Sequence, residues 1–417
     1  MAGLLPDAAA SYRWPIRAPR PRALTPPAAR LNNGSLIARR PRVDTVKPGT
    51  GLRNVVAGES AICSIEGERG LLAYRGIDIH ALAEHSTFEE VAFLLHRGQL
   101  PRRAELAAFT SELVRERAVP APVPALLRLL PPATHPMTSL RTLVSALGAF
   151  DPDAGNETPA ANARKALRLT AQMATLVALV ERVRKGQPVL PPDPALSHAA
   201  NFLFMLTGER PPATAERAMD MALVLHADHE FNASTFAARV AASTLGDLHG
   251  AITSALATLK GPLHGGANEA VMKMLEEIAS PERAEPWLRE ALGAKKKIMG
   301  FGHAVYRTED PRATHLRRMS RQLGEAGADR RWFELSEKIE GLMRAQKGLN
   351  ANVDFYSASV YHSLGIATDL FTPVFAVSRI AGWTAHVLEQ LANNRLIRPE
   401  SEYTGPRDVV YVPLDRR

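Results

Sequence analysis

Three short polar segments set in apolar surroundings carry the residues able to do chemistry. They are GPLHGGAN at 261–268, GFGHAVYR at 300–307 with DPR behind it at 310–312, and NVDFYS at 352–357. Together they supply His264, His303, Asp354, Arg307 and Arg312 within about ninety residues. Two imidazoles and one carboxylate can take a proton from carbon at one place and manage charge on oxygen at another. Joining two carbonyl compounds requires both.

His264 stands just before the amphipathic run 270–278, which places its imidazole near a helix N-terminus. The positive end of the helix dipole disfavours imidazolium. A neutral ring is therefore expected, able to donate a hydrogen bond to a developing enolate oxygen. Gly265 and Gly266 would let a ligand approach the backbone. The alternative is a histidine that only caps a loop. His303 follows the tight turn Gly300-Phe301-Gly302, but the third glycine of a dinucleotide fingerprint is missing and no strand precedes it. Lys295, Lys296 and Lys297 lie upstream. They read either as a solvated face or, beside a glycine turn and two arginines, as a cradle for coenzyme phosphates. Asp354, between Val353 and the aromatic pair Phe355 and Tyr356, is either a helix N-cap or a functional carboxylate. In the second case apolar neighbours raise its basicity by desolvation. His226 and His229 are three apart and would share a helix face. No third ligand is spaced for zinc, so no metal is expected.

In this order and spacing the three segments resemble the citrate synthase family, which includes the 2-methylcitrate synthases. Agreement runs from about 51 to 413, through GLLAYRG at 70–76, HADHEFNAS at 226–234, Arg379 and the Arg398-Pro399 step. The resemblance implies that Asp354 removes a proton from the α-carbon of an acyl-CoA. It implies that His264 hydrogen-bonds the resulting enol or enolate, and that His303 polarises the ketone of oxaloacetate. Arg312, Arg379 and the partner subunit's Arg398 would hold carboxylates, with His229 assisting and His226 structural. Lys297, Arg307 and Lys347 would lie near coenzyme A. The implied reaction makes citrate from acetyl-CoA, oxaloacetate and water, a step of the tricarboxylic acid cycle, with hydrolysis of the citryl-thioester driving it forward. The alternatives are 2-methylcitrate from propionyl-CoA and a non-catalytic relative. A homodimer is implied, with no tightly bound cofactor, because the thioester and CoA are substrate and product. Ala351 stands where a proline is common before Asn-Val-Asp, which would loosen that loop.

The elements that must position these groups read as helices. Residues 88–98 carry an apolar stripe ending at Gly98. A helix is expected over 104–118 after Leu100-Pro101, and a buried one over 167–180. Pro- and Gly-rich joints punctuate the rest. Residues 51–76, with Val55, Val56, Ile62 and Ile65, suggest a short hairpin. The fold class is all-α with a small N-terminal β element. The resemblance implies a large helical domain from 46–265 and 371–417, with a small one at 266–370.

The chain of 417 residues is long enough for at least two domains. It has no apolar run of the roughly 18–20 residues that span a bilayer, so no membrane partner is expected. Its net charge of +8 is concentrated at the start: residues 1–45 hold eight Arg against two Asp, leaving +2 for the remainder. Nucleic-acid binding by the folded body is therefore not expected. Seven prolines in 1–45 prevent a continuous helix, and the segment reads as a disordered extension. An Arg-rich, acid-poor leader is also the composition of an organellar transit peptide. The single cysteine, Cys63, fits a reducing compartment. The expected location is cytoplasmic, or a mitochondrial or plastid matrix if 1–45 is a leader.

Overall fold

The computed structural model describes residues 55–303 and 305–417. The extension at 1–45, with the disorder and targeting expected of it, lies outside them. The β element comes first. Strands β1 (Cys63–Glu66), β2 (Leu71–Tyr74) and β3 (Ile77–Asp78) form one antiparallel sheet in that order. Cys63 pairs with Tyr74, and Tyr74 in turn with Ile77. Val55 and Val56 precede the strands in irregular chain, so the hairpin begins later than the β-branched pattern suggests.

Sixteen α-helices follow among the described residues. The first four are α1 (Ile79–His85), α2 (Phe88–Arg97), α3 (Arg103–Arg115) and α4 (Pro122–Arg128). Both ends of α2 follow local chemistry. The Thr87 hydroxyl accepts the Glu90 N–H, and Gly98 closes the helix with φ +83°, a conformation that glycine adopts without penalty. Helices α5 (Pro136–Phe150) and α6 (Pro159–Arg184) each open with proline in the first turn, where no N–H is needed. The 26-residue α6 is buried through almost all of its middle. Then come α7 (His198–Thr207), α8 (Ala213–His226), α9 (Ala233–Ser243) and α10 (Leu248–Leu259).

Next are α11 (Ala267–Ile278), α12 (Pro281–Gly293), α13 (Pro311–Glu325), α14 (Arg331–Lys347) and α15 (Val353–Ser363). These five pack on one another, and α13 also meets α1 and α8. The final helix, α16 (Phe371–Ala392), is buried from Phe371 to Val387. It packs against α2, α6, α8, α9 and α10. Among the described residues no helix is long and apolar enough to cross a membrane. Beyond α16 the chain carries no helix longer than the single turn Leu414–Arg416.

Candidate active site

The site begins where α8 stops. His226 is the last residue of that helix, and His229 lies beyond it in irregular chain. The two histidines therefore do not share a helix face, contrary to their spacing. Tertiary contacts end the helix there. The buried Tyr74 hydroxyl sits 3.2 Å from Leu225 O and 3.0 Å from Asp228 O, and accepts the Asp228 N–H. From α16, the Gly382 N–H donates to Ala227 O at 3.1 Å. A Cβ on Gly382 would lie 2.3 Å from that same oxygen, so only glycine lets α16 approach this closely. The approach brings Arg379 Nε within 2.7 Å of His226 O and sets its guanidinium over the Phe375 ring. Both arginine and ring are buried.

His264 lies in the turn that leads into α11, as expected. Its Nε2 is 2.8 Å from Ser234 Oγ and 3.3 Å from the Ser234 N–H. A backbone donor on Nε2 leaves the ring proton on Nδ1. Burial, and then the Arg379 charge, push this imidazole down to about 4, so it is neutral near pH 7. The reason is desolvation first, rather than the helix dipole argued from sequence. Gly265 has a packing role. A Cβ there would meet Leu259 O at 2.3 Å, so the expected ligand approach is not what requires this glycine. Sequence reasoning assigned no role to Ser234, which also accepts the Trp383 indole N–H at 3.1 Å.

The His303 and Asp354 segments are laced together. Gly302 N–H donates to Asn350 O (3.2 Å), and Asn352 N–H donates to Gly300 O (2.9 Å). The Asn352 side chain donates to Gly302 O at 2.9 Å while its Oδ1 accepts the Asp354 N–H at 3.1 Å. Asn352, not Asp354, is thus the N-cap of α15, and the Asp354 carboxylate is left for other work. Ala351 is buried in a bridge opposite Phe301. The two backbone bonds use its neighbours, so the missing proline does not untie the loop. Gly300, at φ +83°, admits Phe355 and Val271 so closely that a Cβ would meet both within 3 Å.

His303 Nδ1 accepts two backbone N–H groups, from Val305 (3.0 Å) and Tyr306 (3.2 Å). Its proton must then sit on Nε2, which is free to donate. Burial and the Arg312 charge push the ring down to about 4. The His229 ring packs edge-on to His303 at 5.4 Å, and its Nε2 is 3.2 Å from the Tyr306 hydroxyl. Burial and the nearby arginines, Arg312 before Arg379, hold His229 well below its usual range.

Arg312 is buried and forks onto Asp310, Nε to Oδ1 at 2.9 Å and Nη2 to Oδ2 at 2.8 Å. Burial would raise Asp310, but the Arg312 charge and hydrogen bonds outweigh it and hold the carboxyl below its ordinary range. Asp354 differs. It is half-buried, and desolvation by the surrounding protein pushes it up to about 6 despite Arg312. The arrangement can therefore supply a carboxylate base of raised strength, two neutral imidazoles with defined donors, and two buried guanidinium groups.

A cavity of about 180 Å³ lies between the two loops, lined by His303, Tyr306, Arg307, Asp310 and residues 348–352 among others. Arg307 is therefore at its edge, and Lys347 adjoins it at the end of α14. Lys297 is exposed and does not line the cavity. Of the neighbouring lysines, Lys296 pairs with Glu277 and lies over Trp287, an ordinary solvated arrangement. Arg398 is exposed on the chain beyond α16, unlike the buried Arg312 and Arg379.

Comparison with known proteins gives concordant matches. The family described as citrate synthase, C-terminal domain, matches residues 51–400. The chain is 50% identical over 368 residues to citrate synthase 2 of Bacillus subtilis, covering 88% of this chain and 98% of that one. It is 44% identical over 355 residues to 2-methylcitrate synthase of Mycobacterium tuberculosis, covering 85% and 90%. Among solved structures, the ternary complex of Thermoplasma acidophilum citrate synthase with carboxymethyl coenzyme A and oxaloacetate superposes with a TM-score of 0.83. That alignment has 33% identity and covers 89% of this chain and all of that one.

Proposed function

The chain belongs to the citrate synthase family, and we propose that it condenses acetyl-CoA with oxaloacetate and water to give citrate and CoA. Asp354 takes a proton from the methyl carbon of the thioester. The lone base of a carboxylate is weak for such a carbon acid, and its upward shift to about 6 brings it closer to the task. His264, protonated on Nδ1, donates to the oxygen that becomes enolic. His303, protonated on Nε2, donates to the ketone of oxaloacetate, which the enol carbon attacks. Arg312 and Arg379 hold its carboxylates, with His229 beside them. Guanidinium suits this because it stays charged when buried and binds carboxylate through paired N–H groups. Water then cleaves the citryl-thioester and releases CoA.

The observation that carries this reading is the lacing by Asn352. One side chain ties the loop of the ketone-polarising imidazole to the helix of the base. Two further features belong to the same proposal. Helices α11–α15 form a small domain that closes on α1, α8 and the sheet, excluding water from the enol. The enzyme is a homodimer in which the partner subunit's Arg398 completes the carboxylate clamp. Arg307 and Lys347 flank the entrance and face the coenzyme phosphates, with Lys297 further out. No tightly bound cofactor takes part, and a cytoplasmic location is proposed.

A second reading, 2-methylcitrate synthesis from propionyl-CoA, is favoured by one observation: relatives of that name match nearly as well as the citrate synthases. The test is direct. Initial rates of CoA release are measured with oxaloacetate and either thioester. Faster release from acetyl-CoA supports the first reading and faster release from propionyl-CoA the second. No release from either overturns both.

A further inference from the structure

Between Gly302 and Asp310 the chain makes a single backbone–backbone hydrogen bond among the described residues. The Arg307 N–H donates to Gly67 O at 3.0 Å. Gly67 belongs to the turn joining β1 and β2. The contact there is unusually close. A Cβ on Gly67 would lie 2.3 Å from Val305 O and 2.9 Å from Val305 C. Three residues on, Gly70 has φ +66°, and a Cβ there would meet Thr308 Oγ1 at 2.5 Å and Glu309 O at 3.1 Å. The hairpin turn therefore lies flat against residues 305–309, and Gly67 admits no side chain.

That stretch of backbone is the one that orients His303. Its Val305 and Tyr306 N–H groups are the two donors on Nδ1. They decide that Nε2 carries the proton and faces outward as the donor. The Asn352 bonds hold this loop at one end and Asp310 holds it at the other. Its middle is held by the hairpin. An ion pair also bridges the two parts, Arg307 to Glu68 at 3.7 Å, but both groups are well exposed. Pairs of that kind add little, so the backbone contact is the tie.

We propose that Gly67 is a positioning residue for His303: the β1–β2 turn fixes the backbone that sets which imidazole nitrogen meets the substrate ketone. This rests on the functional reading given above. Its consequence is that a turn remote in sequence from every catalytic segment governs carbonyl polarisation rather than fold stability alone.

The experiment measures the ketone stretch of enzyme-bound oxaloacetate by isotope-edited infrared spectroscopy, with steady-state kinetics alongside. In the unaltered enzyme the stretch should fall below its value in free oxaloacetate. Absence of that shift overturns the functional reading itself. In Gly67→Ala the stretch should return toward the free value and kcat should fall about tenfold or more, while the KM for thioester holds. Gly76→Ala is the control. It strains the next turn of the same sheet, between β2 and β3, at φ +81°, but its Cβ would meet nothing within 4 Å. It should lower Tm and leave the stretch unchanged. A Gly67→Ala enzyme that loses Tm as Gly76→Ala does, yet keeps the stretch and kcat of the unaltered enzyme, overturns the inference. Should Gly67→Ala fail to fold, Thr308→Leu crowds the contact at Gly70 from the loop side, and an unaltered stretch in that variant also overturns it.

Discussion

Asp310 Oδ2 accepts the backbone N–H of Val353 at 3.1 Å, and the same carboxylate holds Arg312 through two further bonds. One buried side chain therefore joins the first turn of α13, which carries the arginine, to the first turn of α15, which carries Asp354. Substrate charge and catalytic base are set relative to each other by a group that touches neither reactant in the proposed reaction.

Removing that group should be costly. Asp310→Ala leaves the Arg312 guanidinium buried without its counter-charge, which destabilises by about 3–5 kcal/mol in comparable cases. The urea midpoint should fall accordingly with an unchanged slope, and oxaloacetate should bind more weakly. The pH dependence follows from the depressed carboxyl. The stability contributed by Asp310 is present above its unfolded pKa. It is lost as pH falls through the lower folded value, so acid unfolding of the unaltered protein should converge on that of the variant.

Asp354 should show the opposite sign. Its folded pKa of about 6 lies above the ordinary 3.8, so the folded state binds this proton more tightly than the unfolded chain does. Stability is therefore lost as pH rises between those two values, and the ionised group is a burden at neutral pH. Asp354→Asn should unfold at higher temperature than the unaltered protein at pH 7, by a margin on the order of 1–3 kcal/mol. It should still bind oxaloacetate while turnover falls by orders of magnitude and acetyl methyl exchange stops. In the unaltered enzyme, kcat/KM should drop about tenfold per pH unit below a limb near pH 6. A variant of normal turnover, or one that is less stable at pH 7, would remove Asp354 from the role of a desolvated base.

The candidate residues could be named from sequence because their types are rare in apolar context and their segments are contiguous. His264, His303 and Asp354 are each read from a few neighbours. What holds them was not legible. Asn352 has no role in the sequence reading, which weighs Asp354 as the cap, and its tie appears only because Gly302, fifty positions earlier, accepts its amide. Gly265 looks like a ligand contact until Leu259 O occupies that space. The end of α8 is equally tertiary. Nothing local stops it at His226, and the buried hydroxyl of Tyr74 does so from the sheet. Helices with strong local signals, such as α2 between Thr87 and Gly98, came through with both ends in place. The middle of α6 was read correctly as buried, whereas its two ends extend past the apolar run.

Asn352 should therefore behave as more than a cap. Asn352→Ala removes the bond to the Asp354 N–H and the bond to Gly302 O together. Loss of a cap alone costs about 0.5–2 kcal/mol, and thermal unfolding should register a loss of that size. Activity should suffer further, because the loops carrying His303 and Asp354 lose their shared tie, and small displacements can cost on the order of a hundredfold in rate. Asn352→Asp keeps the cap acceptor and loses only the donor to Gly302. It should recover most of the stability but little of kcat. Equal recovery of both would show that Asn352 acts as a cap alone.

Arg398 gives the test of the dimeric site. It is exposed, whereas Arg312 and Arg379 are buried, and in the proposed dimer it acts on the neighbouring subunit. The proline that follows restricts its backbone, which limits the directions the segment can take. Arg398→Ala should keep its fold and weaken oxaloacetate binding by roughly 2–5 kcal/mol if a buried substrate carboxylate is left unpaired. Mixing this inactive variant with inactive Asp354→Asn then separates the two geometries. If the arginine acts across the interface, each heterodimer has one site with both changes and one with neither. The intact site should restore up to about half of unaltered activity per heterodimer. If the arginine acts within its own subunit, every site in the mixture carries one change and no activity returns. Refolded mixtures shown by mass spectrometry to contain heterodimers, yet inactive, would remove Arg398 from the shared site.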